Sequence, residues 1–236
     1  LAELMVGRKV RQEVDRSQNE AGNTCLQVKG LNIDDASGVR RVKNVSFELA
    51  AGEVVGIAGV SGNGQTELLQ ALAGIIPPTS GEIQVGDEVI TAQQATTPAR
   101  LRELGVAHVP EDRHRMGLVL PFSAYQSAVL GYHQLTKYNK NLTQNHGAMR
   151  DEYQERADGF DIRPRDADLK CASFSGGNQQ KIVLAREIDA DPDILLIGQP
   201  TRGVDIGAIE FIHQQSMDMR NAGKAILLVS VELEEI

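Results

Sequence analysis

One stretch, VVGIAGVSGNGQTELLQALA at residues 54–73, restricts the fold more than any other part of the chain. It reads as a short apolar strand over 54–58, a glycine-rich turn, and an amphipathic helix that begins near Thr66. Gly59, Gly62 and Gly64 remove side chains where the backbone must bend tightly and come close to another group. The helix aims its free N–H groups and the positive end of its dipole back at the turn, which makes an anion cradle. Gly59, four residues, Gly64, then Gln65 and Thr66 follow the phosphate-loop pattern, Gly-x4-Gly-Lys-Ser/Thr, at every position but one. Gln65 stands where the pattern has lysine.

The rest of the chain supplies the elements around that loop. Residues 26–31 and 42–49 read as strands flanking a turn-rich piece at 34–38. Residues 82–85 and 88–90 flank Gly86-Asp87 as a hairpin. A short helix at 98–104, a strand at 106–109 and a charged loop, PEDRHR at 110–115, follow. From 118 to about 190 the pattern is mainly helical, with a charged amphipathic helix at 149–160 and another at 178–190 opened by a Ser-Gly-Gly turn. Residues 194–197 and 225–230 are apolar runs of the kind buried on both faces of a parallel sheet. Between them a helix at 206–222 is stopped by Gly223. Alternating strands and helices predict an α/β class with a helical insertion.

Composition removes several function classes. The net charge of −8 argues against a broad nucleic-acid face, and 4% aromatics with no Trp leaves no platform for stacking single-stranded bases. No apolar run approaches a membrane span. Cys25 and Cys171 have no metal or redox spacing and read as two free thiols in a reducing compartment.

Three further motifs follow the glycine loop in a set order. FSGGNQQK at 174–181 resembles the signature motif of ABC-transporter ATPases, usually Leu-Ser-Gly-Gly-Gln; QPTRGVD at 199–205 resembles the turn after their second acidic motif; Val109-Pro110-Glu111 lies where they have the Q-loop. GIAGVSGNGQTEL, HVPEDRHRMGLVL and QPTRGVDIGAIEFIH resemble more closely the second nucleotide-binding domain of the tandem ATPases of sugar and nucleoside importers. That resemblance implies a P-loop NTPase core of the ABC-ATPase kind, with an antiparallel β subdomain and an inserted helical subdomain. It implies that residues 1–23 are the tail of a preceding domain plus a linker, and that 24–236 are a nucleotide-binding domain whose C-terminal end is cut short.

The implied ligands are ATP and Mg²⁺. ATP would contact Gly59, Ser61, Gly62, Asn63, Gly64, Gln65, Thr66 and Glu111, with the Thr66 hydroxyl reaching the metal. Ser175, Gly176, Gly177, Asn178 and Gln179 would contact ATP bound to a partner domain, and Asp205 would lie at the domain interface. The implied partners are a second nucleotide-binding domain in the same polypeptide, membrane-spanning permease subunits and, indirectly, a substrate-binding protein. No nucleic acid is among them. The implied location is the cytoplasmic face of the cell membrane, peripherally bound.

Several positions depart from the family pattern. Gln65 offers a neutral amide in place of a cation. The strand at 194–197 continues into Gly198-Gln199 instead of Asp-Glu, so no carboxylate holds the metal's water shell, and Gln199, at the general-base position, cannot take a proton near neutral pH. Val231 stands at the switch-histidine position, and its side chain neither donates nor accepts. Glu111 replaces the Q-loop glutamine, and no aromatic at 33–36 is placed to stack on adenine. The expectation is a domain whose own hydrolytic site is inactive or nearly so, and which mainly completes its partner's site through the intact signature.

Plainer readings stand beside these. The loop could be kept only for its fold, and Ser175-Gly176-Gly177 could be a plain N-cap. Thr201 and Asp205 could be turn and cap residues, and 111–113 an ordinary solvated loop. His108, His114 and His213 read as structural or surface histidines. At the level of function, a regulatory module that holds ATP without turnover and a soluble ABC protein outside transport are the alternatives.

Overall fold

The computed structural model describes residues 21–140 and 143–232. The expected tail and most of the linker, residues 1–20, lie outside them, as do the last four residues, 233–236. In chain order the elements are β1 (Thr24–Asp34), β2 (Arg40–Ala50), β3 (Val54–Ala58), α1 (Gln65–Leu72), β4 (Ser80–Val85), β5 (Glu88–Ile90), α2 (Pro98–Glu103) and β6 (Val106–Val109). Then come α3 (Ala124–Ser127), β7 (Asn139–Lys140), β8 (Thr143–Gln144), α4 (His146–Gly159), α5 (Gly176–Ile188), β9 (Ile194–Gly198), α6 (Ile206–Asn221) and β10 (Ala225–Ser230).

The chain divides into two compact units. Of the described residues, the first holds 21–111, Asp191–Pro200 and 213–232. It contains an antiparallel sheet in the order β2-β1-β4-β5 and a parallel sheet in the order β3-β10-β9-β6. β1 pairs with β2 through Val28 opposite Phe47, and with β4 through Val28 opposite Ile83. In the parallel sheet Leu228 lies opposite Gly56 on one side and Ile197 on the other. Every residue of β9 is buried and nearly all of β10, as their unbroken apolar runs require. β3 is one of the two edge strands and is only half-buried, with Gly56 and Ala58 exposed. One core joins the two sheets: Leu31, Ile33, Leu49 and Ile83 meet Leu69 and Leu72 of α1 and Leu196 and Leu227 of the parallel sheet.

The second unit comprises Asp112–Ala190 and Thr201–Ile212. It starts before residue 118, where the sequence reading placed the helical boundary, because 110–115 is not a plain loop. Arg113–Gly117 forms a π-helical turn whose first N–H groups, those of His114 and Arg115, donate to the Asp112 carboxylate at 3.0 and 3.1 Å. Asp112 is thus a cap. The turn is fastened to α5 by Arg186, whose Nη1 donates to the Gly117 and Ser127 carbonyls at 2.8 and 3.0 Å. Arg186 also pairs with Glu187 at 2.7 Å, and Glu187 accepts from the Tyr132 hydroxyl at 2.7 Å.

One helix boundary differs from the sequence reading and another agrees with it. α5 begins at Gly176, not 178, so both signature glycines lie in its first turn. Ser175 has extended φ and ψ, and its Oγ accepts from the Asn178 N–H, so it is the N-cap. At the other end of the chain Gly223, at φ +86°, closes α6 as expected: its N–H donates to the Arg220 carbonyl and that of Lys224 to Met219.

Candidate functional site

The turn from Gly59 to Thr66 joins the end of β3 to α1. Gly62 and Gly64 take φ of +87° and +97°, the left-handed region where a side chain is strained. Gly64 is also the N-cap position of α1, and a methyl group there would overlap the Arg41 carbonyl of β2. Ser61, Gly62 and Asn63 are exposed, and a Cβ at Gly62 would meet nothing within 4 Å. The tip of the loop is therefore open while its base is tightly packed.

Gln65 belongs to the base. The sequence reading gave its amide to a phosphate, but the side chain is buried and lies against Gly59: a methyl there would overlap Nε2 and come within 3.2 Å of Cδ. Thr66 donates its hydroxyl to Glu111 Oε1 at 2.6 Å. A hydroxyl and a carboxylate oxygen, the donor types a hard divalent cation prefers, thus meet at the start of α1. The sequence reading placed Thr66 at the metal and Glu111 at the nucleotide but did not reveal that they touch.

The end of β9 completes this region. A Cβ on Gly198 would lie 2.7 Å from Leu69 Cδ1, 3.1 Å from the Glu111 nitrogen and 3.2 Å from Glu111 Cβ. The space that an aspartate would need is thus filled by Glu111 and Leu69. Gln199 has φ +48°, uncommon for a residue with a side chain, and its N–H donates to the Val229 carbonyl at 2.8 Å. Its Oε1 accepts from the Val231 N–H at 3.4 Å. The Val231 side chain is inert, as read from the sequence, yet its backbone N–H bonds to the Gln199 side chain.

The stretch at 33–36, where an adenine-stacking aromatic was sought, is the end of β1 and the turn after it. Asp35 Oδ1 accepts from the Ser37 and Val39 N–H groups at 2.8 and 3.0 Å, and Oδ2 from Arg41 Nε at 2.7 Å. The hydrogen bonds, led by that from Val39, hold its carboxyl below the usual carboxylate range.

In the helical unit the signature forms a separate cluster. Ser175 is exposed at the start of α5. Its Oγ accepts from the Asn178 N–H at 3.4 Å and from Asn178 Nδ2 at 2.9 Å, which leaves its own proton free to donate. Asn178 Oδ1 accepts from the Arg163 N–H at 2.7 Å. A Cβ on Gly177 would sit 2.9 Å from Asp205 Oδ2. Asp205 is the expected cap of α6, its Oδ1 accepting from the Ala208 N–H at 2.9 Å.

Gln179 is where the structure and the sequence reading part. It was expected to face bound nucleotide, but it is buried, and its Nε2 donates to the Cys171 and Phe174 carbonyls at 3.0 and 3.2 Å. Its Oε1 meets His114 Nε2 at 2.7 Å. Gln179 therefore braces the motif from behind. His114, read as structural or surface, and Arg113, read as part of a charged loop, both reach this motif. The only sequence signal for them was their place just after Glu111. Among the described residues no helix is long and apolar enough to cross a membrane, and no group of three or more His, Cys, Asp or Glu side chains is arranged to hold a metal.

Comparison with known proteins agrees with this fold. The chain is 42% identical to the nucleoside import ATP-binding protein NupA of Lactococcus lactis and 41% identical to the guanosine import ATP-binding protein NupO of Bacillus subtilis, over its full length. It spans 46% of each, about half the length of these relatives. A dimeric ATP-binding cassette in a post-hydrolysis state with ADP and phosphate superimposes with a TM-score of 0.74 at 22% identity, over 89% of both chains. The family model for ABC transporters matches residues 42–202, the segment that contains the glycine loop, Glu111, the signature and the turn at Gln199; the chain belongs to the ABC transporter family.

Proposed function

We propose that this chain is an ATP-binding half of an importer ATPase, that it completes a partner domain's catalytic site through Ser175, Gly176 and Gly177, and that its own site turns over little or no ATP. The observation that carries the reading is a contrast. At the chain's own loop the general-base position is a neutral amide bonded to the Val231 N–H, and the space for an aspartate at 198 is filled. At the signature the cap hydroxyl is exposed and the first two residues of α5 are glycines. Similarity to NupA and NupO favours nucleosides as cargo, with simple sugars as the alternative the motifs leave open. Membrane-spanning permease subunits, a second nucleotide-binding domain in the same polypeptide and an indirectly coupled binding protein belong to this reading, as does a location at the cytoplasmic membrane face.

The loop still suits a nucleotide. Its tip is open, a Cβ at Gly62 meeting nothing within 4 Å, and α1 points its positive end at it. Thr66 and Glu111 would hold Mg²⁺, which when bound supplies positive charge beside the phosphates. Gln199 can orient a water but cannot deprotonate one.

Calorimetric titration of ATP into the chain, with and without Mg²⁺, tests this half of the reading: saturable binding without hydrolysis is the expected outcome, and turnover by the isolated chain contradicts it. Gln65→Lys should tighten ATP binding about ten- to a hundredfold, the range for a hydrogen bond to a charged group of about 1.5–3 kcal/mol. A second reading, a structural half that holds no nucleotide, draws on the packing of Gln65 against Gly59. It requires no binding by either form. For the other half of the reading, Ser175→Arg in the full-length protein should abolish ATPase activity. Undiminished hydrolysis would show that the signature does not act.

A further inference from the structure

Arg113 lies two residues beyond Glu111, at the start of the π-helical turn. Its guanidinium is half-buried in the helical unit. Nη1 donates to the Arg202 carbonyl at 2.8 Å, Nη2 makes a longer contact of 3.4 Å with the Gly203 carbonyl, and Nε faces Gln179 Oε1 at 3.4 Å. A Cβ on Gly176 would lie 2.7 Å from Nη2 and 2.8 Å from the Gly203 oxygen. One planar fork thus touches the first turn of α5, the amide that braces it and the turn leading to Asp205.

Among the described residues no carboxylate pairs with this cation; its acceptors are all neutral carbonyl oxygens. Burial pushes its pKa below the ordinary arginine value, Asp112 opposes that shift, and the neighbouring charge of Arg202 adds to it. Keeping a cation partly out of water without a counter-ion costs stability, which simple packing would not require. Lysine cannot replace the fork, because a single ammonium does not span two successive carbonyls in a fixed plane.

We propose that Arg113 is a positioning residue of the signature. It fixes Ser175, Gly176 and Gly177 against the Arg202-Gly203 turn, so that the Ser175 hydroxyl and the free N–H groups of α5 meet the phosphates of a nucleotide held by the partner domain. The proposal rests on the role given to the signature above, and it adds the residue that sets its geometry. It also explains why position 176 is glycine: any side chain there displaces the guanidinium.

The test is steady-state ATPase kinetics of the full-length protein, with thermal midpoints for each variant. Arg113→Met and Arg113→Lys should each lower kcat by about tenfold or more, with KM for ATP changed by less than about threefold, the pattern of an interaction needed in the transition state and not for ground-state binding. Midpoints should stay within a few degrees of the parent. Gly176→Ala should lower kcat similarly, and the Gly176→Ala/Arg113→Met double variant should lose no more than either single, because both break one junction. Unchanged kcat in Arg113→Met, full recovery by lysine, additive losses in the double variant, or losses that merely track a falling midpoint would each overturn the proposal. Ser175→Arg separates the two levels of argument. If it leaves hydrolysis intact, the reading of the signature fails. If it abolishes hydrolysis while Arg113→Met does not, only the role given to Arg113 fails.

Discussion

Gly198→Asp, which puts back the acidic residue the family pattern has at the end of this strand, is expected to destabilise the protein and restore no hydrolysis. The cause is steric before it is electrostatic. The new Cβ would fall 2.7 Å from Leu69 Cδ1, and 3.1 and 3.2 Å from the Glu111 nitrogen and Cβ. Leu69 is only 2% exposed and belongs to the core that joins the two sheets, so it has little room to withdraw. Overpacking of this kind costs about 1–3 kcal/mol. The added carboxylate would then be buried beside that of Glu111, with like charges close together and no cation to divide them. For a domain of this size each kcal/mol lowers the thermal midpoint by about 2–4 °C, so a fall of several degrees is expected in a melting experiment. Gly198→Ala isolates the steric part, and Leu69→Ala in the Gly198→Asp background should recover some of the loss. A Gly198→Asp protein that melts with the parent would show that the space is not closed. On the proposed reading the chain's own site still turns over no ATP, because Gln199 remains a neutral amide, unable to take a proton.

That result separates two descriptions of one residue. From the chain alone, Gly198 is a missing carboxylate. In the structure it is a glycine that Leu69 and Glu111 require, and Glu111 occupies the space while bonding to Thr66. The strand-turn-helix at 54–73, the hairpin around Gly86 and the buried runs of β9 and β10 were legible because each is local: spacing, turn chemistry and period decide them. The Ser175 cap and the stop at Gly223 were legible for the same reason. What the sequence hid depends on residues far apart in the chain. Nothing near Gln179 indicates that its amide turns inward to Cys171, Phe174 and His114. Nothing near Arg113 indicates that its hydrogen-bond acceptors lie at 202 and 203. The composition of PEDRHR suggested solvent, and Asp112, His114 and Arg115 are exposed, yet Asp112 and Arg113 also bond to backbone groups of the helical unit.

The helical unit has one feature whose removal should be felt throughout it. Arg186 and Glu187 are 3% and 0% exposed, a charge pair in the interior of the unit. Glu187 is satisfied by Arg186 Nε and the Tyr132 hydroxyl, both at 2.7 Å, and Arg186 spends Nη1 on the Gly117 and Ser127 carbonyls. Glu187→Ala leaves the cation without its counter-charge and opens a cavity. Breaking a buried pair from one side costs about 3–5 kcal/mol, a large fraction of a typical domain's stability. Arg186→Ala should be as severe, because it strands the Glu187 carboxylate and takes a donor from the Gly117 and Ser127 carbonyls. Replacing both, as Arg186→Met with Glu187→Leu, should be milder than either single change, since no charge is then left buried alone. Hydrogen exchange reads the effect directly. Amides of α4 and α5 in Glu187→Ala should exchange roughly a hundredfold faster or more, while those of β9 and β10 change far less if the unit opens by itself. Ser175 caps α5 and Arg186 lies near the end of the same helix, so the loosened helix would present its cap hydroxyl for a smaller fraction of the time. ATPase activity of the full-length protein should fall with α5 protection. Equal exchange in the parent and in Glu187→Ala would mean that the pair contributes nothing to the stability of the helical unit.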